Sequence, residues 1–178
     1  VLFVGTLEPR KNLVRLVQAF RRLPSDLGTM HLVLAGPWGC RAGELRAALR
    51  RPDARRPIVA TGLLDDATLC ALYAGAHVFA YPSLYEGFGL PVLEAMGAGV
   101  PVLTSSGGAC AEVAGGAALL VDPYSVEAIA AGLERLLRST DERRRLGELG
   151  SLREREFSWA RTARATLEVY RRAMREAS

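Results

Sequence analysis

Short apolar runs alternate along the chain with longer segments in which apolar residues recur at helical spacing. The runs are rich in Val, Leu, Ala and Phe, which is typical of strands covered on both faces of a parallel sheet. They predict strands at Val1–Gly5, His31–Ala35, Pro57–Ala60, His77–Tyr81, Val100–Thr104 and Ala118–Val121. The helical spacing predicts helices at Leu13–Leu23, Ala42–Arg50, Asp66–Ala74, Pro91–Gly97 and Val126–Arg138.

Polar residues just before three of these helices are candidate N-caps. A short oxygen-bearing side chain can accept a hydrogen bond from the first helical turn. Asn12 precedes the first helix, Asp65 or Asp66 the third, and Ser125 the fifth. The tail, about residues 141–178, is rich in Arg and Glu, and we expect helices there. Its mixed charges indicate solvated helix faces rather than a surface for an anionic membrane.

The alternation of strands and helices predicts an α/β fold, a doubly wound Rossmann-like parallel sheet of about six strands. A chain of 178 residues has the size of one domain, and we assign residues 1–178 to it. Ligands of such folds bind beyond the carboxyl ends of the strands, where the strand order reverses. We therefore expect a single binding rim, formed by the loops Gly5–Lys11, Gly36–Trp38, Gly62–Leu64, Pro82–Gly89 and Thr104–Gly108.

The stretch Ala95–Ala111 carries no charge, which raises the question of a membrane span. Several glycines and Pro101 interrupt it, and Glu94 and Glu112 flank it. A buried helix, a turn and a buried strand explain this pattern better than a span. With 49% apolar and 24% charged residues, the chain has the composition of a globular protein rather than a disordered one.

The cysteines and the first residues bear on the compartment. Cys40, Cys70 and Cys110 are far apart and form no CxxC pair, so we expect reduced thiols in a cytoplasmic protein rather than disulfides or a zinc site. The chain opens on an apolar run without Met and without a secretory leader, which we interpret as an excision from a longer protein. Any contact at the inner face of a membrane would involve the absent part.

The charged residues single out one lysine. Lys11 is the only Lys among the 23 basic residues, and the rest are Arg. This bias reflects genome composition, but it makes Lys11 conspicuous, because a compact point charge is kept where Arg is the usual choice. The net charge of +4 is mild, and we expect no nucleic-acid partner.

The segment Pro82–Ala95 joins a predicted strand to a predicted helix through a glycine-bearing loop. Gly87 and Gly89 allow close approach of a ligand to the backbone. The helix is expected to begin near Leu90, with Pro91 suited to its first turn. Free N–H groups and the helix dipole at such a start form an anion site that suits a diphosphate.

Two carboxylates flank this loop. Glu86 lies at its mouth, and Glu94 lies one turn into the helix. Carboxylates next to a diphosphate would repel it unless they face its sugars, and vicinal hydroxyls are good donors to a carboxylate. The pair therefore indicates a ribose on one side and a hexose on the other. The alternative is a surface helix with an unrelated Glu at each end.

A second cluster, Gly5–Asn12, follows the first strand directly. It has neither the GxGxxG of dinucleotide-binding folds nor the Gly-Lys-Ser/Thr of a P-loop. It places Arg10 and Lys11 at the expected crevice, where two cations can neutralise a diphosphate leaving group. No Asp-x-Asp occurs in the sequence to hold a metal for that purpose, so we expect no metal and no other cofactor. The alternative is a basic surface loop.

Together these segments resemble retaining glycosyltransferase family 4. The spacing of Glu86 and Glu94, with seven residues between them, is similar to that family's motif of paired glutamates. The likeness covers nearly the whole chain and is closest to the C-terminal domain of mannosyltransferase-like members. It rests on the segments Phe3-VGTLEPRKNL-Val14, Gly62–Ser83, Glu86-GFGLPVL-Glu94 and Pro101-VLTSSGGACAEV-Ala114, and on the Phe157/Trp159 ending.

The resemblance implies the GT-B fold, in which two Rossmann-like domains face each other. The donor then binds the C-terminal domain, and much of the acceptor site lies in an N-terminal domain absent from this chain. Carried over by position, Glu86 contacts the donor sugar, Glu94 binds the ribose hydroxyls and Lys11 stabilises the diphosphate. The family needs no divalent metal.

The resemblance also implies that backbone N–H groups around Phe88, Gly89 and Leu90 hold sugar and phosphate. One position departs from the family, because many members carry Arg directly after the first-strand glycine, where this chain has Thr6. Arg10 is the candidate to supply that charge. We take Glu86, Lys11 and Arg10 as catalytic candidates. The donor-binding candidates are Glu94, Gly87, Phe88, Gly89, Leu90, Gly5, Thr6 and Gly62.

The sequence thus predicts the donor-binding half of a retaining enzyme that transfers a hexose, expected to be mannose from GDP-mannose, to a glycan or other hydroxyl acceptor. We expect the isolated domain to be inactive, since the acceptor half is missing. One alternative is a nucleotide-sugar-binding module without turnover. Another is an NAD-dependent oxidoreductase domain, which the lack of GxGxxG after the first strand disfavours.

Overall fold

The computed structural model describes residues 1–51 and 53–176. This part of the chain forms one six-stranded sheet, and all neighbouring strands pair in parallel. The strands are β1 (Leu2–Val4), β2 (Leu32–Ala35), β3 (Ile58–Gly62), β4 (Phe79–Tyr81), β5 (Val102–Ser105) and β6 (Leu119–Val121). Their order across the sheet is β3-β2-β1-β4-β5-β6. The order reverses between β1 and β4, so the expected crevice lies beyond the ends of these two strands.

The helices run between and after the strands. They are α1 (Leu13–Arg21), α2 (Gly43–Leu49), α3 (Asp66–Gly75), α4 (Leu90–Gly97), α5 (Gly108–Ala114), α6 (Val126–Arg138), α7 (Thr140–Glu154) and α8 (Trp159–Glu176). Short 3₁₀ turns occur at Pro9–Lys11 and Ser25–Leu27. Each predicted strand is present, which confirms the doubly wound α/β fold.

The structure adds α5, a helix that the apolar spacing did not predict. Its sequence consists mainly of small residues, so it carries no helical stripe of large apolar side chains. The tail forms two helices, as its composition indicated, and α7 packs against α4. Along α8 no residue is buried, and Trp159 and Tyr170 are among its exposed side chains.

The core lies on both faces of the sheet. Every residue of β4 and β5 is buried, so helices cover these central strands on both sides. The uncharged stretch 95–111 runs from α4 through β5 into α5, as its interruptions indicated. Among residues 1–51 and 53–176, no helix has both the length and the apolar content needed to cross a membrane.

Two predicted caps are confirmed and one is wrong. Asp65 accepts a hydrogen bond from Thr68 N, and Ser125 accepts one from Ala128 N. Asn12 stands at the start of α1, but its side chain makes no capping bond. Its amide instead donates to two carbonyl oxygens on other loops, Pro82 O at 3.0 Å and Pro123 O at 2.6 Å. Asn12 also has φ 61°, a left-handed conformation rather than the extended one that capping residues adopt.

Candidate functional site

The loops predicted to form the rim all follow strands of the parallel sheet, and they are tied to one another by hydrogen bonds. Leu84 N donates to Arg10 O at 2.8 Å, which joins the loop after β4 to the loop after β1. Ser105 Oγ donates to Ser83 O at 2.5 Å, which joins the end of β5 to the loop after β4. The loops therefore form one connected surface at the switch point.

The floor of the crevice is a close contact between two backbone segments. Gly36 follows β2, and a Cβ atom at this position would lie 2.2 Å from Gly5 O. Only glycine permits so near an approach. Gly36 N also donates to Gly62 O at 3.0 Å, and Gly5 N donates to Ala35 O at 2.9 Å. Gly5 and Gly62 thus lie at the rim as predicted, with these backbone groups already bonded to neighbouring loops.

The predicted catalytic candidates form one charge cluster. Lys11 Nζ lies 2.6 Å from Glu86 Oε1, and Arg10 Nη1 lies 2.7 Å from Glu86 Oε2. The side chains of Lys11 and Glu86 are only 7% and 8% exposed, whereas that of Arg10 is 44% exposed and also pairs with Glu8. The sequence placed these residues at one crevice but did not indicate that the carboxylate would bridge both cations.

The cluster holds Glu86 in its ionised form. Burial acts to raise the pKa of this carboxyl, but the hydrogen bonds from Lys11 and Arg10 and the charge of Lys11 outweigh it, so the pKa lies below its usual range. Burial acts to lower the pKa of Arg10, but its bond to the Glu86 carboxylate outweighs this and raises it. Arg10 pairs with Glu8 as well as with Glu86, so the two cations and two carboxylates of this cluster carry no net charge.

The loop after β4 leads into α4 as predicted. Gly89 is left-handed, with φ 101°, a conformation that L side chains rarely adopt, and Pro91 lies in the first turn. No side chain caps this end of α4. Leu90 is exposed, and around Gly87 there is open space for a further atom. The local geometry is that of a helix N-terminus that can receive an anion.

Phe88 reaches from this loop to the tail of the chain. Its ring is 43% exposed and meets the ring of Phe157 edge to face, with centroids 5.9 Å apart. The guanidinium of Arg153 covers the same Phe157 ring at 4.9 Å. The loop is therefore packed against the segment that joins α7 to α8. The sequence placed Phe88 at the site but gave no sign of this partner.

Glu94 and Thr6 lie on separate parts of the rim. Glu94 is on the exposed side of α4, where its Oε2 accepts a hydrogen bond of 2.8 Å from the Tyr73 hydroxyl. Thr6 is half-buried beside Gly39, in the loop after β1. Among the described residues, no group of three or more His, Cys, Asp or Glu side chains is arranged to hold a metal ion.

Sequence reasoning missed two tyrosines at this site. Tyr81, the last residue of β4, accepts a hydrogen bond of 2.6 Å from Lys11 Nζ, and Tyr73 on α3 bonds to Glu94. Both tyrosines are buried within apolar segments, where an aromatic residue normally indicates core packing. The signal that could have found them is the hydroxyl group, since the O–H of a buried tyrosine usually requires a polar partner nearby.

Comparison with known sequences matches residues 1–153 to a family described as "Glycosyl transferases group 1". The chain belongs to this family. It is 39% identical over 171 residues to O-antigen chain mannosyltransferase B of Escherichia coli, covering 96% of this chain and 45% of that protein. It is 48% identical over 115 residues to the MMP alpha-(1->4)-mannosyltransferase of Mycolicibacterium hassiacum, covering 62% of this chain and 28% of that protein.

Solved structures of glycosyltransferases share the fold. Sucrose-phosphate synthase from Thermosynechococcus elongatus superposes with a TM-score of 0.79 at 29% identity, over 99% of this chain and 45% of that one. The Anabaena protein HepE, solved in complex with UDP and glucose, superposes with a TM-score of 0.80 at 20% identity, over 95% and 47%. This group 1 glycosyltransferase chain therefore spans less than half the length of these relatives.

Proposed function

We propose that this chain is the donor-binding half of a retaining glycosyltransferase that transfers mannose from GDP-mannose to a hydroxyl acceptor. The proposal rests above all on one observation in a group 1 glycosyltransferase: Lys11, Arg10 and Glu86 meet at the switch point beside the uncapped start of α4. The choice of mannose is supported by the mannosyltransferases among the relatives. The remaining half of a longer protein would supply the acceptor site, since this chain covers 45% of its E. coli relative.

The chemistry divides among the residues of the rim. The donor diphosphate lies at the start of α4, where helix dipole and backbone N–H groups attract it, with Lys11 and Arg10 on its other side. As the bond between the sugar C1 and the diphosphate oxygen breaks, negative charge grows on the leaving group, and the two cations stabilise it. This role needs no metal ion.

Transfer with retention takes place on one face of the sugar. The acceptor oxygen bonds to C1 on the face that the diphosphate leaves, and the acceptor proton passes to a departing phosphate oxygen. Glu86, held ionised by Lys11 and Arg10, accepts a hydrogen bond from a hexose hydroxyl. Glu94 accepts bonds from the ribose hydroxyls, for which its exposed position on α4 leaves access.

Calorimetry on the purified chain tests the donor site. GDP, UDP, ADP and GDP-mannose are titrated in EDTA and in Mg²⁺, and we expect GDP and GDP-mannose to bind best and without need of the metal. Glu94→Ala should weaken GDP and GDP-mannose alike, whereas Glu86→Ala should weaken GDP-mannose relative to GDP, each by on the order of 1–3 kcal/mol. Glu148→Ala, an exposed residue of α7, is the matched control.

Two results would overturn the assignment. If none of these ligands bound at millimolar concentration, the crevice would not be a donor site. If both glutamate variants weakened both ligands equally, the division between ribose and hexose would be wrong.

A further inference from the structure

A row of buried aromatic rings runs beneath the charge cluster. Phe3 stacks on Tyr81 with ring centroids 5.5 Å apart, and Phe79 also stacks on Tyr81, at 5.8 Å. Tyr73 continues the row from Phe79 at 5.6 Å. All four residues are at most 5% exposed. Rings packed on this scale have no freedom to swing, so their polar ends are fixed in space.

Both hydroxyl groups of the row end on candidate site residues. Tyr81 Oη accepts a hydrogen bond of 2.6 Å from Lys11 Nζ, and Tyr73 Oη donates one of 2.8 Å to Glu94 Oε2. These contacts join β4 to the loop after β1, and α3 to α4. One rigid row therefore holds a group on each side of the proposed donor.

Both phenols remain protonated at neutral pH. Burial raises the pKa of Tyr73 and of Tyr81 well above the usual range, and the carboxylates of Glu94 and Glu86 respectively add to the effect. Tyr81 is thus a neutral partner for the Lys11 ammonium, unlike Glu86. It fixes the position of the cation without cancelling its charge.

The Lys11 ammonium has three N–H bonds, and the described residues supply acceptors for two of them. A lysine side chain is flexible, so one acceptor alone would let the ammonium pivot around the carboxylate of Glu86. The second acceptor, on the rigid ring of Tyr81, sets the direction of the remaining N–H bond. That bond is then available to a phosphate oxygen.

We propose that Tyr81 and Tyr73 are positioning residues of the donor site, Tyr81 aiming Lys11 at the diphosphate and Tyr73 holding Glu94 for the ribose. This rests on the proposed function. Neither tyrosine need touch the ligand. The two residues act on different parts of the ligand. Loss of the Tyr81 hydroxyl disturbs the contact with the diphosphate, and loss of the Tyr73 hydroxyl disturbs the contact with the ribose.

Replacement of each tyrosine by phenylalanine tests the proposal, because it removes the oxygen and keeps the ring stack. Tyr81→Phe should lower GDP affinity roughly five- to tenfold, the effect of one lost hydrogen bond, and leave guanosine affinity unchanged. Tyr73→Phe should lower the affinities for GDP and guanosine by a similar factor, and this loss should vanish with 2′,3′-dideoxyguanosine. If UDP binds the wild-type chain better than GDP, then UDP and uridine replace GDP and guanosine in these measurements.

Tyr170→Phe, on the exposed face of α8, is the control for a lost hydroxyl. A loss of affinity for every ligand in both variants, in proportion to a fall in melting temperature, would mean that the tyrosines are merely structural. Unchanged affinities in both variants would equally overturn the proposal.

A second readout needs no ligand. Lys11 is the only lysine in the chain, so ¹³C-lysine labelling gives a single side-chain Cε signal. Tyr81→Phe should shift this signal in the unliganded protein, whereas Tyr73→Phe and Tyr170→Phe should not. An unshifted signal in Tyr81→Phe would overturn the positioning of Lys11. If the wild-type chain binds neither GDP nor UDP, the proposed function fails, and the spectrum still reports separately on the contact.

Discussion

Glu86 is shared by two cations that differ in their exposure. Its pairing with Lys11 is buried, so it is little screened by salt, whereas Arg10 is half exposed and pairs through water-accessible atoms. An incoming diphosphate would compete with Glu86 for both. The Arg10 side chain can turn outward at small cost, since much of it already lies in solvent. The Lys11 side chain cannot, because it is buried. The two basic residues are therefore unequal, although they are adjacent in sequence.

The lowered pKa of Glu86 predicts a dependence of stability on pH. A carboxyl with a folded-state pKa below its ordinary value of 4.5 stabilises the fold above that value, and this contribution is lost as the pH falls through the folded-state pKa. Glu86→Gln should therefore reduce the free energy of unfolding by about 1 kcal/mol at pH 7. The difference from wild type should shrink below pH 4.5.

Urea unfolding at a series of pH values measures this difference. Glu148→Gln, which changes an exposed carboxyl of α7, provides the control for net charge. A Glu86→Gln variant that differed from wild type by the same amount at pH 3.5 and at pH 7 would show that the ion pairs do not contribute.

The sequence indicated the charged members of this site because of where they occur. Lys11, Arg10 and Glu86 lie in loops that follow apolar runs, and such loops form the crevice of a doubly wound sheet. Tyr73 and Tyr81 escaped notice because their hydroxyls project from rings that complete the core. A one-dimensional pattern records that a tyrosine is buried but not what its oxygen meets.

At the scale of elements, the end of α4 lies in close contact with α7. Gly147 lies on α7 where the two helices meet, and a Cβ atom there would lie 2.4 Å from Gly99 O, just after α4. The obstacle is backbone, which cannot move aside without shifting α4. The position of α4 thus depends on a glycine about fifty residues further along the chain.

This contact predicts a reversal of the usual effect of an alanine in a helix. Gly→Ala inside a helix ordinarily stabilises by about 1 kcal/mol, because alanine has the higher helix propensity. Gly147→Ala should instead destabilise, by about 1–3 kcal/mol, since overpacking displaces α4. Thermal and urea unfolding measure the change.

Gly43→Ala at the first residue of α2, where there is open space for a Cβ atom, is the matched control and should be neutral or stabilising. If Gly147→Ala stabilised the chain as well, the close approach of α7 to the end of α4 would not constrain the fold.

The elements themselves were predictable where they carried long apolar runs or an amphipathic stripe. The strands were predictable because burial on both faces gives a continuous apolar run. Helix α1 was predictable because burial on one face gives apolar residues at helical spacing. Helix α5 was not, since small residues such as Gly108 and Ala109 leave none. The side chain of Asn12 was misassigned for a different reason. Its partners, Pro82 O and Pro123 O, lie 70 and 111 residues away, and no local rule includes them.

At the scale of the whole molecule, the chain carries the proposed donor site but spans less than half of its E. coli relative. We expect the isolated chain to bind GDP-mannose and to transfer nothing, because the proposed function assigns the acceptor site to another domain. In the full-length protein, Lys11→Ala should lower the turnover rate by roughly 100-fold or more, by analogy with loss of one preorganised donor in an oxyanion hole.

Release of GDP in the presence of an acceptor extract measures turnover. Lys11→Arg should recover only part of the rate, since a guanidinium fork is larger than an ammonium. Arg10→Ala is the informative comparison. If Lys11→Ala left turnover and diphosphate affinity intact while Arg10→Ala abolished both, the two roles would have to be exchanged. A full-length protein that bound donor and never turned over would be a binding module.

The contact of Gly36 with Gly5 also determines how this site can diversify. A floor made of touching backbone tolerates no added atom, so selection and mutant libraries alike can explore little there. Substitutions are tolerated better at side chains of the rim loops. These are above all Leu63 and Tyr85, which are 82% and 73% exposed, and the half-buried Thr6. If the proposed donor site is correct, new donor preferences are expected to arise by changing these three positions while the Gly36–Gly5 contact stays the same. A library restricted to them would keep the fold and sample mainly specificity.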